Sequence, residues 1–156
     1  MKNIIIAALA AVSTLAGAHA AGAADATSAV VATINGFNDA LNTNKPFDKY
    51  MAASQTVIDE FAPYHWSGPA GAKSWGAAFG GFLQKSGMSE PAMKLGAPTR
   101  VELEGTHAYA VVPGLFTFKQ NGKAMHENGA FTYTLDRTAK GWKIAAFAWA
   151  GPRPMM

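Results

Sequence analysis

Residues 100–149 read RVELEGTHAYAVVPGLFTFKQNGKAMHENGAFTYTLDRTAKGWKIAAFAW, and this stretch decides the fold. Apolar and polar residues alternate along four successive runs, which is the two-residue period of β-strands. The later runs also carry aromatic and apolar side chains on both faces. Such strands are expected in a curved antiparallel sheet that wraps around a packed interior.

The turns of this stretch set the limits of its strands. Asn121-Gly122 is the strongest hairpin signal, because both residues tolerate the positive φ angles of a tight primed turn. A second turn is predicted at residues 104–106, and Pro113-Gly114 predicts a bulge that bends the second strand. The predicted strands are residues 100–104, 108–119, 123–135 and 142–149.

A long helix followed by a short helix is expected in the N-terminal part of the chain. The first covers residues 25–43, with Asp25 as its N-cap and Pro46 just beyond its end. Its apolar residues recur at steps of four, three and four, which places them on one face: Val30, Ile34, Phe37 and Leu41. Residues 47–51 predict the short second helix that closes one end of the core.

The segment that follows alternates like a strand and then turns helical. Residues 54–62 are interpreted as a strand near a sheet edge, with Val57, Asp59 and Phe61 on one face and Pro63 interrupting it. A loop over residues 64–69 leads to a second long helix at residues 72–86, which Gly87 ends.

Composition sets broad limits on the class of protein. The chain has 156 residues, of which 49% are hydrophobic and 15% charged, and this suffices to bury a core. It has no cysteine, so neither a disulfide scaffold nor a lipid anchor on cysteine is available. Its few charges are scattered without a basic stripe, so nucleic-acid binding is not expected.

The first twenty residues are typical of a signal peptide. Lys2 precedes an apolar run at residues 4–15, and Ala18-His19-Ala20 fits a cleavage site. The apolar run is shorter than the roughly 20 residues of a membrane span, so no span is expected after cleavage. We expect residues 1–20 to be removed and residues 21–156 to form one domain in the periplasm or outside the cell.

The order of these elements resembles the nuclear transport factor 2-like superfamily, and in particular its SnoaL-like branch. The motifs that carry the resemblance are Asp59-Glu60-Phe61-Ala62-Pro63, Gly71-Ala72-Lys73-Ser74-Trp75, Gly129-Ala130-Phe131-Thr132-Tyr133 and Gly141-Trp142-Lys143-Ile144. The likeness extends over residues 26–149. It implies a cone-shaped α+β (cystatin-like) fold, in which a curved antiparallel sheet and N-terminal helices enclose a pocket, and it implies homodimers formed through the sheet.

The superfamily includes isomerases, dehydratases, cyclases, hydrolases and binding proteins without catalysis, so the fold does not decide the function. Its steroid isomerase branch has an aspartate as general base directly before the proline, where this chain has Ala62. That branch also has a tyrosine on the first helix, and the first predicted helix here has none. Proton transfer of the ketosteroid type is therefore not expected.

Other residues are candidates for acid–base chemistry. Asp59 would be a base if its apolar strand face lines the pocket, and a solvated edge residue otherwise. His65 would lie at the pocket mouth, or merely pack against a neighbouring proline in a loop. His126 would pair with Asp59 across the cone, or lie on an exposed sheet face, and Tyr109 is an alternative proton donor.

Aromatic residues are abundant enough to line a pocket as well as to fill a core. Those chosen as ligand-binding candidates are Phe61, Tyr64, Trp66, Trp75, Phe79, Tyr109, Phe131 and Trp149. A small apolar or aromatic molecule is the expected ligand. The histidines lack the close spacing of a zinc site, so no metal and no cofactor are expected.

Three hypotheses about function remain open at the level of the sequence. The first is a secreted or periplasmic protein that binds a small molecule without chemistry. The second is a SnoaL-like isomerase, dehydratase or cyclase, and the third is a dimeric interaction module.

Overall fold

The computed structural model describes residues 15–152, with side chains from Gly22 onward. Two helices and seven strands follow one another, with a 3-10 helix (Asp48–Tyr50) between the first helix and the first strand. The elements are α1 (Leu15–Asn42), β1 (Met51–Ile58), β2 (His65–Gly68), α2 (Gly71–Lys85), β3 (Met88–Leu95), β4 (Arg100–Glu104), β5 (His107–Gln120), β6 (Lys123–Thr138) and β7 (Gly141–Ala150).

The seven strands form one curved, open sheet. Six of them follow the order β2-β1-β7-β6-β5-β3, and the seventh, β4, pairs with β5. Strand β5 is long enough to pair with two partners along one edge, β4 at its start and β3 at its end. The β1–β7 pair is parallel, and the other pairs are antiparallel. This agrees with the predicted α+β class and with the predicted curved sheet.

The core lies between the concave face of the sheet and the two helices. The apolar stripe predicted for α1 is confirmed, because Val30, Ile34 and Phe37 are fully buried against the sheet. From the sheet, the alternate residues Ala110 and Val112 of β5 point into the same core. Helices and sheet therefore share one hydrophobic interior.

The helix bounds differ from the prediction mainly at the start of α1. The helix begins at Leu15, so Asp25 lies inside it and is not its N-cap. Helix α2 begins and ends within one residue of the predicted bounds. Of the predicted signal peptide, residues 1–14 lie outside the described residues, and its removal stays a prediction. Among residues 15–152, no helix is long and apolar enough to cross a membrane.

Two strands are not those predicted. Residues 65–68, interpreted as loop, form β2 and pair with β1. Strand β3 has no counterpart in the prediction, because Pro91, a positive φ of 53° at Glu90 and a register shift between Ser89 and Ala92 break the alternating pattern. The strand predicted at residues 54–62 is shifted, since β1 ends at Ile58.

The Asn121-Gly122 turn is confirmed by positive φ angles of 52° and 81°. The bulge predicted at Pro113-Gly114 is wrong, because the β5–β6 register continues unbroken through both residues. Gly114 instead pairs with Gly129, and a Cβ atom at these positions would lie 2.9 Å and 2.6 Å from the ring of Trp149. The glycines thus leave room for an indole ring against the sheet.

Candidate functional site

A cavity of about 1100 Å³ lies between the concave face of the sheet and helices α1 and α2. Its walls are mainly apolar and rich in aromatic residues, and they are contributed by both helices, by the segment after β1 and by strands β3 and β5 to β7. The aromatic lining residues are Phe37, Phe47, Phe61, Trp75, Phe79, Phe82, Phe116, Phe118, Phe131, Tyr133, Phe147 and Trp149. The volume exceeds what a gap in a packed core would leave and suits a small organic molecule.

The aromatic walls hold one another in place. Trp75 stacks on Phe79 at 5.7 Å between ring centroids and meets Phe147 edge-on at 5.1 Å. On the sheet, Phe131 of β6 pairs with Trp149 of β7, and their ring centroids are 4.7 Å apart. Ring pairs at these distances add about 0.5–1.5 kcal/mol each beyond the burial of their area, so the walls are preorganised.

Asp59 is a buried carboxyl on the cavity wall. It is only 9% exposed, and it continues the inward-facing alternation of β1 past Val57. Its Oδ2 accepts a hydrogen bond of 2.7 Å from Trp75 Nε1, and its Oδ1 accepts one of 2.7 Å from the backbone N–H of Glu60. Burial raises the pKa of Asp59 and outweighs the lowering effect of the two hydrogen bonds.

Glu127 is a second buried carboxyl on the same cavity. It is 1% exposed and lies on the inward face of β6, four residues before Phe131. Its Oε1 accepts a hydrogen bond of 3.2 Å from Trp149 Nε1, and the backbone of Gly151 approaches it so closely that no Cβ fits there. Burial raises the pKa of Glu127 above its ordinary value.

Glu60 completes what we call the carboxyl cluster: Asp59, Glu60 and Glu127. Desolvation, the charge of Glu127 and a hydrogen bond with Glu127 raise the pKa of Glu60 to about 7, and Asp59 adds a smaller repulsion. Glu60 is more exposed than its two partners and lines the same cavity. A carboxyl with a pKa of about 7 beside a second buried carboxyl is suited to accepting or donating a proton near neutral pH.

Tyr133 is the third polar feature of the cavity. It is 1% exposed and lies on the same face of β6 as Phe131 and Glu127. Burial raises the pKa of Tyr133, so its hydroxyl keeps its proton at all physiological pH values. No hydrogen bond between described residues involves that hydroxyl, and no enclosed side-chain atom lacks a partner, so the hydroxyl is open to the cavity. It remains a free donor on the cavity wall.

Solved structures of similar shape come from several bacterial proteins. A nuclear transport factor 2-like protein with a cystatin-like fold from Novosphingobium aromaticivorans is 18% identical, with a TM-score of 0.71 over 90% of this chain and 92% of that one. A nuclear transport factor 2-like superfamily protein from Salmonella enterica serovar Typhimurium is 20% identical, with a TM-score of 0.67 over 84% of this chain and 94% of that one.

A hexachlorocyclohexane dehydrochlorinase (LinA type 2) is 10% identical, with a TM-score of 0.68 over 82% of this chain and 86% of that one. No model of a protein family and no curated protein matches the sequence. The chain has the nuclear transport factor 2-like fold. At these identities the likeness shows the fold alone, and the SnoaL-like branch stays a prediction.

Within the nuclear transport factor 2-like fold, the predicted site residues divide into two groups. Those that line the cavity are Asp59, Phe61, Trp75, Phe79, Phe131 and Trp149. Those that do not line it are Tyr64, His65, Trp66, Tyr109 and His126. The binding and catalytic roles assigned to the first group stay predictions.

The second group lies elsewhere for local reasons. Trp66 is buried behind the wall, 5.0 Å from Phe61. Tyr64 is 59% exposed and directly precedes β2. His65, the first residue of β2, is also exposed. Tyr109 lies on the convex face of the sheet beneath Arg100, at 5.4 Å. These side chains are not placed to touch a molecule in the cavity.

The structure does not bring Asp59 and His126 together on the cavity wall as the predicted acid–base pair. Successive residues of a strand point to opposite faces, and the neighbours of His126, Met125 and Glu127, both line the cavity. His126 therefore lies on the convex face, across the sheet from Asp59. The carboxyls that share the cavity with Asp59 are Glu60 and Glu127, and sequence reasoning assigned a role to neither.

A signal for Glu127 and Tyr133 was present in the sequence. Both lie in phase with Phe131 and Leu135 on the apolar face of the nuclear transport factor 2-like meander. A lone carboxylate on such a face is expected to be buried and paired. Among residues 22–152, no three His, Cys, Asp or Glu side chains are arranged to hold a metal ion.

Proposed function

We propose that the protein binds a small apolar or aromatic molecule inside the cavity. The observation that carries this proposal is an aromatic-walled space of about 1100 Å³ with buried polar groups on its wall. Binding sites for small molecules are mainly apolar and contain a few placed polar groups. The carboxyl cluster and the hydroxyl of Tyr133 supply such groups.

The proposed place of action is the periplasm or the exterior of the cell. Its support is the sequence of residues 1–20, which is typical of a leader that is removed on export. Cell fractionation followed by mass spectrometry of the N-terminus tests it. A protein recovered from the cytoplasm with Met1 or Lys2 at its start would contradict this localisation.

Helix α2 offers a matched pair of variants for testing the binding site. Gly80 lines the cavity and Gly81 does not, and a Cβ atom at either glycine meets nothing within 4 Å. Gly80→Leu places a side chain in the cavity, whereas Gly81→Leu places one outside it. Both replace glycine in a helix, so both are expected to stabilise α2 by roughly 0.8 kcal/mol.

The experiment compares the two variants with the parent protein. Native mass spectrometry of protein purified from its source, and thermal-shift screening of aromatic compounds, identify a ligand. Gly80→Leu is expected to weaken its binding, and Gly81→Leu to leave it unchanged. Equal affinity in both variants would show that the ligand binds elsewhere and would contradict the proposal.

The second candidate is an enzyme that uses general acid–base catalysis, and the carboxyl cluster favours it. Asp59 and Glu60 have raised pKa values beside the cavity, as catalytic acids and bases often do. Asp59 would be the base, and Glu60 the acid that returns the proton. Isomerisation, dehydration and cyclisation all begin with such a transfer next to a carbonyl group.

Hydrogen–deuterium exchange separates this enzyme from a binding protein. An enzyme of this class exchanges the α-hydrogen of a bound carbonyl compound with solvent deuterium, and NMR follows the exchange. Asp59→Asn is expected to abolish exchange while it preserves binding. Binding without any exchange in the parent protein leaves the first proposal standing and removes the second.

A further inference from the structure

Acidic groups outnumber basic groups around the cavity. Three of the five ionisable groups are acids, namely the carboxyl cluster, and the others are the hydroxyl of Tyr133 and the ammonium group of Lys73. Lys73 is exposed on the first turn of α2, so water screens its charge. Asp59 and Glu127 are buried, so their charges act on the cavity through a less polar medium.

We propose that the molecule bound here is an organic cation, with an aromatic or apolar body and a protonated amine that pairs with the carboxyl cluster. This inference rests on the proposed function and specifies its ligand class. The ligand is expected to carry a positive charge. The test below distinguishes it from a neutral or an anionic ligand.

The first argument is the cost of three carboxyls close together. A buried carboxylate is stable only when it is paired, and here the N–H groups of Trp75 and Trp149 supply one neutral hydrogen bond each. No described Lys, Arg or His makes an ion pair with the cluster. An ammonium group supplies three donors and the missing positive charge.

The second argument is the surface beside the cluster. The two indoles that donate to Asp59 and Glu127 also line the cavity, so aromatic surface lies next to the carboxyls. A cation over an aromatic face gains about 0.5–2 kcal/mol, more when water is excluded. Carboxylates within aromatic walls favour an ammonium group and repel an anion.

The third observation is independent of the acids. The hydroxyl of Tyr133 is on the cavity wall and has no partner among the described residues, although its side chain is 1% exposed. This hydroxyl is open to the cavity and available to an occupant. Six residues of strand, roughly 20 Å of backbone, separate it from Glu127.

The test compares three probes that share one diphenylmethane body and differ in the charge of a single polar substituent. They are 4-benzylbenzylamine, 4-benzylbenzyl alcohol and 4-benzylbenzoate, and isothermal titration calorimetry measures their affinities for the mature chain. The amine is expected to bind at least about tenfold more tightly than the alcohol, because only the amine forms a hydrogen-bonded charge pair with the carboxyl cluster. The benzoate is expected not to bind.

Variants assign the effect to the cluster. Glu127→Gln is expected to remove the preference for the amine over the alcohol, and Glu60→Gln, at a more exposed position, tests the same point if the first variant does not fold. Glu102→Gln is the control, because Glu102 is exposed and pairs with Arg100 outside the cavity. A preference that survives both cluster variants overturns the inference.

The pH dependence of amine binding provides a second test. The amine keeps its charge at neutral pH, while Glu60 has a pKa of about 7, so affinity for the amine is expected to rise as the pH increases through 7. Equal binding of alcohol and amine, or tighter binding of the benzoate, overturns the inference and leaves the proposed binding function intact. Failure of all three probes, together with no ligand in the thermal-shift screen, contradicts both.

Discussion

The carboxyl cluster makes a prediction at the scale of single residues. In Glu127→Gln, the charge and the hydrogen bond that raise the pKa of Glu60 are altered, so that pKa is expected to fall from about 7 towards 4.5. NMR titration of the side-chain carboxyl carbon measures it. Glu102→Gln, which removes an exposed charge distant from the cavity, is expected to leave the pKa of Glu60 unchanged.

The same residues make stability depend on pH. All three carboxyls have raised pKa values in the folded protein, so over part of the pH range the folded chain holds protons that the unfolded chain has released. For Glu60 this range extends from pH 4.5 to about 7, so its contribution to stability is fully present below pH 4.5 and is lost as the pH rises through 7.

Thermal unfolding in calorimetry at several pH values checks this direction. Glu127→Gln is expected to flatten the decline between about pH 5 and 7.5, because one of the groups that causes it is gone. A stability that rises over this range in the parent protein would contradict raised pKa values in the cluster.

At the scale of elements, the glycine pair of β5 and β6 determines how closely Trp149 approaches the sheet. In Gly129→Ala, the new Cβ would meet the indole ring and the carbonyl oxygen of Ala150, both at 2.6 Å. We expect the free energy of unfolding to fall by about 1–3 kcal/mol, the usual cost of overpacking. Denaturant titration measures the loss.

Gly81→Ala is the matched control for that variant. A Cβ atom at Gly81 meets nothing within 4 Å, and alanine favours the helix by about 0.8–1 kcal/mol. It is expected to stabilise the protein. If Gly129→Ala were equally stabilising, the close approach of Trp149 would not be a constraint.

The elements also show what the sequence could predict. The meander β5–β7 and helix α2 were predictable, because each has a long regular period bounded by clear turn residues. Strand β3 was not, since Pro91 and the left-handed Glu90 interrupt its period, and its strand geometry comes from pairing with β5.

The candidate site was predictable only in part for a related reason. Alternation along β1 correctly indicates that Asp59 lies on the buried face. The side-chain chemistry of histidine favours His126 as an acid or base. The phase of the strand instead favours its neighbour Glu127, because Glu127 lies on the same face as Phe131. Which side chains converge across the cavity depends on strand order, and one strand alone does not contain that information.

At the scale of the whole molecule, we expect removal of residues 1–20 to leave stability unchanged. Residues 22–25 of α1 are exposed, and Val30 is the first buried residue within residues 22–42 of this helix. Cleavage therefore leaves the packed stripe intact. Calorimetry of the full chain and of residues 21–156 compares their unfolding midpoints, and a lower midpoint for the shorter chain would contradict this view of α1.

A homodimer through the convex face of the sheet stays a prediction. Val111 and Leu115 lie on that face and are half-buried. If the dimer forms, Val111→Lys is expected to convert it to a monomer, because two lysines would face each other across a desolvated interface. Light scattering coupled to size-exclusion chromatography measures the mass, and a monomeric parent protein would contradict the prediction.

The parallel ladder between the first and last strands has a consequence for synthesis. It joins Thr56 to Ala146, so the partner of β1 is synthesised 90 residues after it (146 − 56). Pairing over such a sequence separation gives a high contact order and slow folding. During synthesis the sheet therefore stays incomplete until the ten-residue strand β7 has emerged from the ribosome.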